Sequence, residues 1–379
     1  MDLNLLGSRI KELRLQKGLT QSEFASILSV SFQAVSSWER GVAPPDVENL
    51  INIAKYFGVL VDTLLSPVSE ELYLGIDGGG TKTEFVLVDA FGNVVDRILK
   101  SGSNPNDIGI EATEKLISKG IGELLTKYPT VKSIFAGISG LTVGNYSEKL
   151  VDFLKKLYPK TDISAFGDIV NLFALCEGVN MAVISGTGSV VFAKCKDSYK
   201  RIGGWGHLFD GAGSAYDIGR DAVSLALWEE DFCENKSYIT VQILKTFNTA
   251  TVWGIINELY SGGKSLVASL APIVFEAYRL GDKKAIEIID KNAKRLAELL
   301  DVGKRNYRGG SVAIASGGIF EHFYDIMFLH ISKYTDVSLV TCDLAPIYGA
   351  AKNALSYAGC EIPEKFYENF KKSYGEKIK

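Results

Sequence analysis

The stretch that most constrains the fold is Leu72–Asp89, LYLGIDGGGTKTEFVLVD. Two apolar, β-rich runs flank Asp77-Gly78-Gly79-Gly80-Thr81-Lys82-Thr83. The second run, from Thr83, reads as a strand, so the segment is a hairpin with a glycine tip. Glycines let a backbone turn sharply and present its N–H groups without Cβ interference. A concave row of such groups makes an anion cradle. A P-loop would instead lead into a helix through a Gly-Lys-Ser/Thr ending, and a dinucleotide-binding turn would also open a helix. Asp77 ends the first strand. A carboxylate beside a phosphate cradle implies a cation between the two, most simply Mg²⁺. The alternative is an ordinary tight hairpin with a capping Asp.

At 379 residues the chain has room for about two or three domains. Hydrophobic residues make up 46% and charged residues 23%, the balance of a globular protein with a real core. The net charge of −4 gives no global cationic field to hold nucleic acid or membrane. The five cysteines are scattered and form no CxxC, so neither a zinc knuckle nor a disulfide framework is indicated, and a reducing, cytoplasmic location is expected. The opening MDLNLLGSRIKELR is a charged amphipathic helix rather than a signal peptide. No apolar run reaches the ~18 residues a bilayer span needs.

Residues 1–66 read as a cluster of short helices. Leu6, Ile10 and Leu13 share one face, and Gly18 stops that helix. Thr20-Gln21-Ser22-Glu23 is a capping box that starts a second helix, and Ser31 caps a third that Gly41 ends. A fourth follows Pro44-Pro45-Asp46. Two short helices joined by a tight turn inside a helical cluster form a helix-turn-helix. The string TQSEFASILSVSFQAVSSWERG closely resembles the Cro/phage-repressor family. That resemblance implies a recognition helix near Ser31–Arg40, with Gln33, Ala34, Ser36 and Ser37 toward base edges of double-stranded DNA and Gln21 toward a phosphate. Ser31 and Arg40 flank the same surface. The segment carries six Lys/Arg against seven Asp/Glu, few cations for a phosphate backbone. A helical oligomerisation or peptide-docking module is the alternative reading. Residues 67–71, with Pro67, form a short polar linker.

Beyond the hairpin, the pattern alternates strands and helices and then begins again. Strands are expected at Asn93–Lys100, Ser133–Ile138 and Ile163–Phe166, and helices at 110–127 and Tyr146–Leu157. Gly167-Asp168 opens another helix. Met181–Ser185, Gly186-Thr187-Gly188 and Ser189–Lys194 then make a second glycine-tipped hairpin. A largely helical stretch runs to Asp301, followed by strands at Val312–Ser316 and Val337–Thr341, with a Gly317-Gly318 turn between them and a helix at Ile347–Ala358. The expected lobes are 72–182 and 183–358. The tail, 359–379, carries Phe366, Tyr367 and Phe370 at helical spacing.

Two lobes that each begin with a phosphate-gripping hairpin imply a polyphosphate held across a cleft. The ordered set IDGGGTKT (76–83), AGISG (136–140), Asp168, ISGTGS (184–189), GGWGH (203–207), GSAYDIG (213–219) and ASGGIF (315–320) resembles the actin-like sugar-kinase superfamily. Within it, the N-acetylglucosamine kinase and BadF/BadG ATPase branch is most similar. The resemblance implies a two-lobed, ribonuclease H-like α/β fold that uses ATP and Mg²⁺. Gly78, Gly79, Gly80, Thr81 and Lys82 would hold the phosphates, with Gly186, Thr187, Gly188 and Ser189 opposite. Gly317 and Gly318 would lie beside the adenosine, and Asp77 would carry the metal. Asp168 matches the family's catalytic base, accepting a proton from a sugar hydroxyl as it attacks the γ-phosphate; a plain helix N-cap is the alternative. Asn104, Gly203, Gly204 and Asp210 match sugar-contacting positions. One departure stands out. Family members often carry Gly-Asp-Glu-Gly-Ser after the tryptophan loop, whereas here the string is Phe209-Asp210-Gly211-Ala212-Gly213-Ser214, with the aspartate displaced by one place and the glutamate absent. Three functions follow as expectations: an amino-sugar kinase acting on the 6-hydroxyl, a sugar- or nucleotide-sensing transcriptional regulator, and a BadF-type activator. The last is ranked lowest because the cysteines show no cluster-like pairing. A homodimer is expected from the repressor-like head.

Overall fold

The computed structural model describes residues 3–377 except 60, 66–70, 197, 212, 234 and 308–309. The expected linker, Glu71 apart, and Ala212 therefore lie outside the described residues.

Five helices build the head: α1 (Leu3–Gln16), α2 (Gln21–Ile27), α3 (Phe32–Glu39), α4 (Val47–Phe57) and α5 (Val61–Leu65). The capping box is formed, with the Glu23 N–H donating to Thr20 Oγ1 at 3.2 Å and Glu23 Oε2 accepting the Thr20 N–H at 2.7 Å. Gly58, at φ 69°, ends α4 in the left-handed conformation that glycine adopts without Cβ strain. Leu6, Ile10, Phe24, Val35, Trp38 and Ile53 are buried together. Through the same core runs an ion pair, Arg14 Nε to Glu39 Oε1 at 2.5 Å, both side chains nearly sealed from water. Gln21 Nε2 donates to the other Glu39 oxygen at 2.7 Å, so three helices are tied at one carboxylate.

The first lobe holds β1 (Leu72–Gly78), β2 (Lys82–Asp89), β3 (Val94–Ser101), α6 (Pro105–Ile108), α7 (Ile110–Lys127), β4 (Ser133–Ile138), α8 (Tyr146–Leu157), β5 (Asp162–Phe166) and α9 (Ile169–Phe173). Its sheet order is β3-β2-β1-β4-β5: an antiparallel meander followed by two parallel strands. The second lobe repeats that plan. It comprises β6 (Met181–Ser185), β7 (Ser189–Cys195), β8 (Ser198–Ile202), α10 (Ala215–Phe232), α11 (Tyr238–Thr246), α12 (Ile256–Ala268), α13 (Ala271–Arg279), α14 (Lys283–Tyr307), β9 (Val312–Ser316), α15 (Gly318–Ile331) and β10 (Ser338–Val340). The order β10-β9-β6-β7-β8 is again a meander joined to parallel strands. β10 is shorter than the run Val337–Thr341 suggests, because the Val337 N–H is held by Thr335 Oγ1 at 3.2 Å in the preceding turn.

The chain then crosses back. α16 (Pro346–Tyr357) and α17 (Phe366–Lys377) pack on the first lobe. Gly75 permits the approach of α16, since a Cβ there would lie 2.5 Å from the Ala351 nitrogen. Phe366 and Phe370 of α17 are fully buried beside Tyr348. Ser373 Oγ accepts the Val94 N–H at 2.8 Å, and Tyr374 donates to Glu84 Oε1 at 2.7 Å. One apolar cluster, drawing on Tyr73 and Val86 of the first sheet and on Ala182 and Ile314 of the second, fills the space around α9 and α16. The cleft opens at the carboxyl ends of the parallel strands, where ligands of open α/β sheets collect.

Candidate active site

The first hairpin pairs Gly78 with Thr83, which leaves Gly79, Gly80 and Thr81 at the tip. The Gly79 N–H donates to the Lys82 carbonyl at 2.9 Å, while its own carbonyl accepts the Ser103 N–H at 2.9 Å. The loop carrying Asn104 thus lies directly under the tip. Gly102 has no room for a side chain, since a Cβ would stand 2.0 Å from the Gly80 carbonyl oxygen. Thr81 and Lys82 remain exposed.

Asp77 sits between Glu84 on β2 and Gly137 on β4. Asn171 Nδ2 donates to Asp77 Oδ1 at 2.7 Å. Burial, then repulsion from Asp168 and Glu84, push the Asp77 carboxyl up to about 6, against the stabilising bond from Asn171 and the charge of Lys82. Asp168 stands at the N-cap position of α9, where its side chain makes no capping hydrogen bond. It is open to the cleft, yet the walls desolvate its carboxyl enough to raise its pKa, while the Ile169 N–H and the Ser139 hydroxyl hold the shift back. Asp77, Gly78, Gly79, Thr81, Lys82 and Asp168 line one cavity of about 250 Å³, closed from the second lobe by Ile184 and Ser316. A larger space of about 720 Å³ continues from it past Glu84 to Phe320 and Tyr324.

The second hairpin pairs Ser185 with Ser189 and turns through Gly186, Thr187 and Gly188. Gly317, at φ 94°, backs onto it so closely that a Cβ would lie 2.6 Å from the Ser185 carbonyl oxygen. Gly318 lies alongside Gly186. Gly188 of the tip and Ser189 at the start of β7 line a separate, smaller cavity with Gly204, His207, Asp210 and Lys264. The structure therefore brings Asp168 to the first hairpin and places the tip of the second at a different chamber.

Asn104 is turned to local work, its Oδ1 accepting the Asn106 N–H at 3.0 Å against Gly140. Gly203 and Gly204 both have positive φ, 69° and 72°. The displaced Asp210 uses Oδ2 to accept the Trp205 N–H at 3.1 Å and so braces this loop. Trp205 is 72% exposed and lies under the Arg201 guanidinium, 4.9 Å from its ring centre. His207 meets the Tyr216 ring edge-on at 4.9 Å.

Sequence reasoning missed Asn171 and Lys264. Asn171 was hidden in the apolar run IVNLF, with only a polar residue in a buried helix as a signal. Lys264 follows Gly262-Gly263 inside α12, and a glycine pair within a helix is itself a signal because it costs stability.

In the head, Gln33 on α3 and Arg40 at its C-cap are exposed, and Ala34, Ser36 and Ser37 are half-buried. Ser31 Oγ accepts the Ala34 N–H at 3.1 Å, and Gln21 is engaged by Glu39. Among the described residues no helix is long and apolar enough to cross a membrane.

Two lobes of matching topology, each opened by a glycine-tipped hairpin, with Asp77 and Asp168 lining one cavity, have the two-lobed α/β fold of the actin-like class, here preceded by an all-α helix-turn-helix head. Residues 74–354 match the profile of the BadF/BadG/BcrA/BcrD ATPase family, and the chain belongs to that family. Residues 10–64 match the helix-turn-helix profile. The chain is 28% identical over 300 residues to the N-acetylmuramic acid/N-acetylglucosamine kinase of Clostridium acetobutylicum, covering 73% of this chain and 96% of that one. The head is 45% identical over 64 residues to the HTH-type transcriptional activator BcrR of Enterococcus faecalis, 17% of this chain and 30% of that one. A crystal structure of a candidate N-acetylglucosamine kinase from Chromobacterium violaceum shares the fold, with TM-score 0.54, 19% identity and coverage of 75% and 99%.

Proposed function

We propose that the protein is an ATP-dependent kinase of an N-acetylated amino sugar, transferring the γ-phosphoryl group to the sugar's 6-hydroxyl, with a head that binds double-stranded DNA. The observation that carries this reading is the pairing of Asp168 with Asp77 in one cavity under the first hairpin. Asp168 accepts the hydroxyl proton as the oxygen attacks, a contribution of about 10²–10⁴-fold. Gly78–Lys82 hold the phosphates from the first lobe and Gly186–Ser189 from the second, with Gly317 and Gly318 on the adenosine side. Asn104, Gly203, Gly204 and Asp210 form the sugar's surroundings. The donor set suits Mg²⁺: Asp77 offers a hard oxygen whose pKa is raised chiefly by burial and then by the charges of Asp168 and Glu84, and Mg²⁺ takes one or two carboxylates together with phosphate oxygens. When bound, the metal neutralises charge developing on the phosphates.

A coupled assay across hexoses and N-acetylated amino sugars tests this. Stimulated turnover that falls at least about 10²-fold in Asp168→Asn, with sugar binding retained, is expected. Absence of stimulation by any sugar above the Asp168→Asn level would reject it.

A second reading, a sugar- or nucleotide-sensing regulator with little turnover, is favoured by one specific observation: Asp210 is occupied by the Trp205 N–H of its own loop. Ligand binding without turnover, together with ligand-dependent DNA affinity, would select that reading. Selection on random duplexes at low salt tests the head; Gln33, Ala34, Ser36, Ser37 and Arg40 supply the reading surface, with Ser31 and Gln21 at its margin. A homodimer would place two such heads about one helical turn apart.

A further inference from the structure

Lys264 belongs to no recognised motif of the chain, yet it stands at the second hairpin. A Cβ built on Gly188 would lie 3.1 Å from Lys264 Nζ, so the ammonium rests directly over the glycine tip. The backbone is arranged for this. Gly263, at φ 59° and ψ −153°, breaks α12 immediately before Lys264. That conformation is one a residue with a Cβ adopts only under strain. The break lets the following turn leave the line of the helix and carry the lysine over the hairpin.

Among the described residues the ammonium forms no ion pair. Two carboxylates, Asp210 and Asp217, line the same cavity of about 60 Å³, but neither forms an ion pair with Lys264 among the described residues. Asp217 gives Oδ2 to the Ser214 N–H at 3.0 Å and faces Arg220 at 3.4 Å, while Asp210 braces Trp205. A half-buried cation set over a glycine bend, and in no ion pair among the described residues, is available to an incoming anion. The first hairpin, by contrast, is rich in carboxylates: Asp77, Asp168 and Glu84 surround it and Lys82 is the cation among them.

We infer that Lys264 is a positioning residue for the terminal phosphates of the nucleotide, meeting from the second lobe the anion that the first lobe holds through backbone N–H groups. This rests on the kinase reading for the identity of the anion, but not for the presence of an anion site. The lysine lies on the second lobe, so its contact with phosphate also favours closure of the cleft over the ligand.

The test is calorimetric binding of ATP, adenosine and inorganic tripolyphosphate to the full chain, comparing wild type, Lys264→Met and Lys264→Arg. Loss of a charge-assisted contact predicts that Lys264→Met weakens ATP binding by about 10–100-fold. Adenosine binding should be unchanged, and Lys264→Arg should stay within about threefold of wild type. Unchanged ATP affinity in Lys264→Met overturns the inference. Equal losses for ATP and adenosine also overturn it, since they would mark a purely structural lysine. If wild type binds tripolyphosphate but not ATP, the kinase reading falls, and the Lys264→Met effect on tripolyphosphate decides the inference. If wild type binds neither, both fall.

Discussion

Asn171 reaches across β4 to donate to Asp77 Oδ1 at 2.7 Å and to the Gly137 carbonyl at 3.2 Å. It can do so only because residue 137 has no side chain: a Cβ there would lie 2.2 Å from Asn171 Oδ1. The orientation of the candidate metal-holding carboxylate thus depends on a glycine in the neighbouring strand.

Gly137→Ala is expected to expel the carboxamide and leave Asp77 without its donor. Overpacking of this kind costs about 1–3 kcal/mol. The cost should appear as a lower denaturation midpoint, and the affinity for Mg²⁺ and ATP should fall with it. An unchanged midpoint together with unchanged affinity would show that Asn171 has no hold on Asp77.

Asp77 gives a pH signature. Its folded pKa, about 6, lies above the ordinary carboxylate value, so the folded state prefers the protonated form. The associated stability is fully present below pH about 4 and is lost as pH rises through about 6. Asp77→Asn should therefore be more stable than wild type at neutral pH without ligand, by about 1 kcal/mol after allowance for solvent screening. The two proteins should converge near pH about 4. Thermal unfolding across that range checks it, and Mg²⁺ with ATP should reverse the neutral-pH ranking.

The head has its own weak point. Glu39 holds Arg14 at 2.5 Å and Gln21 at 2.7 Å inside the protein. Glu39→Ala strands a buried guanidinium, a change that costs about 3–5 kcal/mol. Calorimetry should show the head's transition lowered or lost while sugar and nucleotide binding persist. A head transition at the wild-type temperature would contradict this account.

Phe370→Ala removes a fully buried ring from the seam where α17 meets Tyr348 and Phe366. A loss of about 3–5 kcal/mol is expected from the first lobe. Urea denaturation followed by tryptophan-independent circular dichroism checks it.

Local chemistry carried much of this architecture in plain sight. The glycine-rich turns at Gly78–Gly80 and Gly186–Gly188 announced both hairpins, and Thr20 with Glu23 announced α2. The aromatic spacing of Phe366 and Phe370 showed a buried helix face. What stayed hidden depends on distance along the chain. Nothing near Asn171 says that it meets Asp77, 94 positions away. Gln21 gives no sign of its bond to Glu39, and Lys264 gives none of its approach to Gly188. Asp210 matches a sugar-contacting position by motif, and only the folded loop shows its carboxylate also on the Trp205 N–H. Side chains whose partners come from other elements are legible only once the backbone has set the register between them.

The return of α16 and α17 to the first sheet bears on how the molecule is made. A ribosome delivers residues in order, so β1 to β5 emerge early but wait for Pro346–Lys377 before their apolar face is covered. During that interval the second lobe is synthesised whole, and the cleft becomes a finished object only after α16 and α17 have followed it.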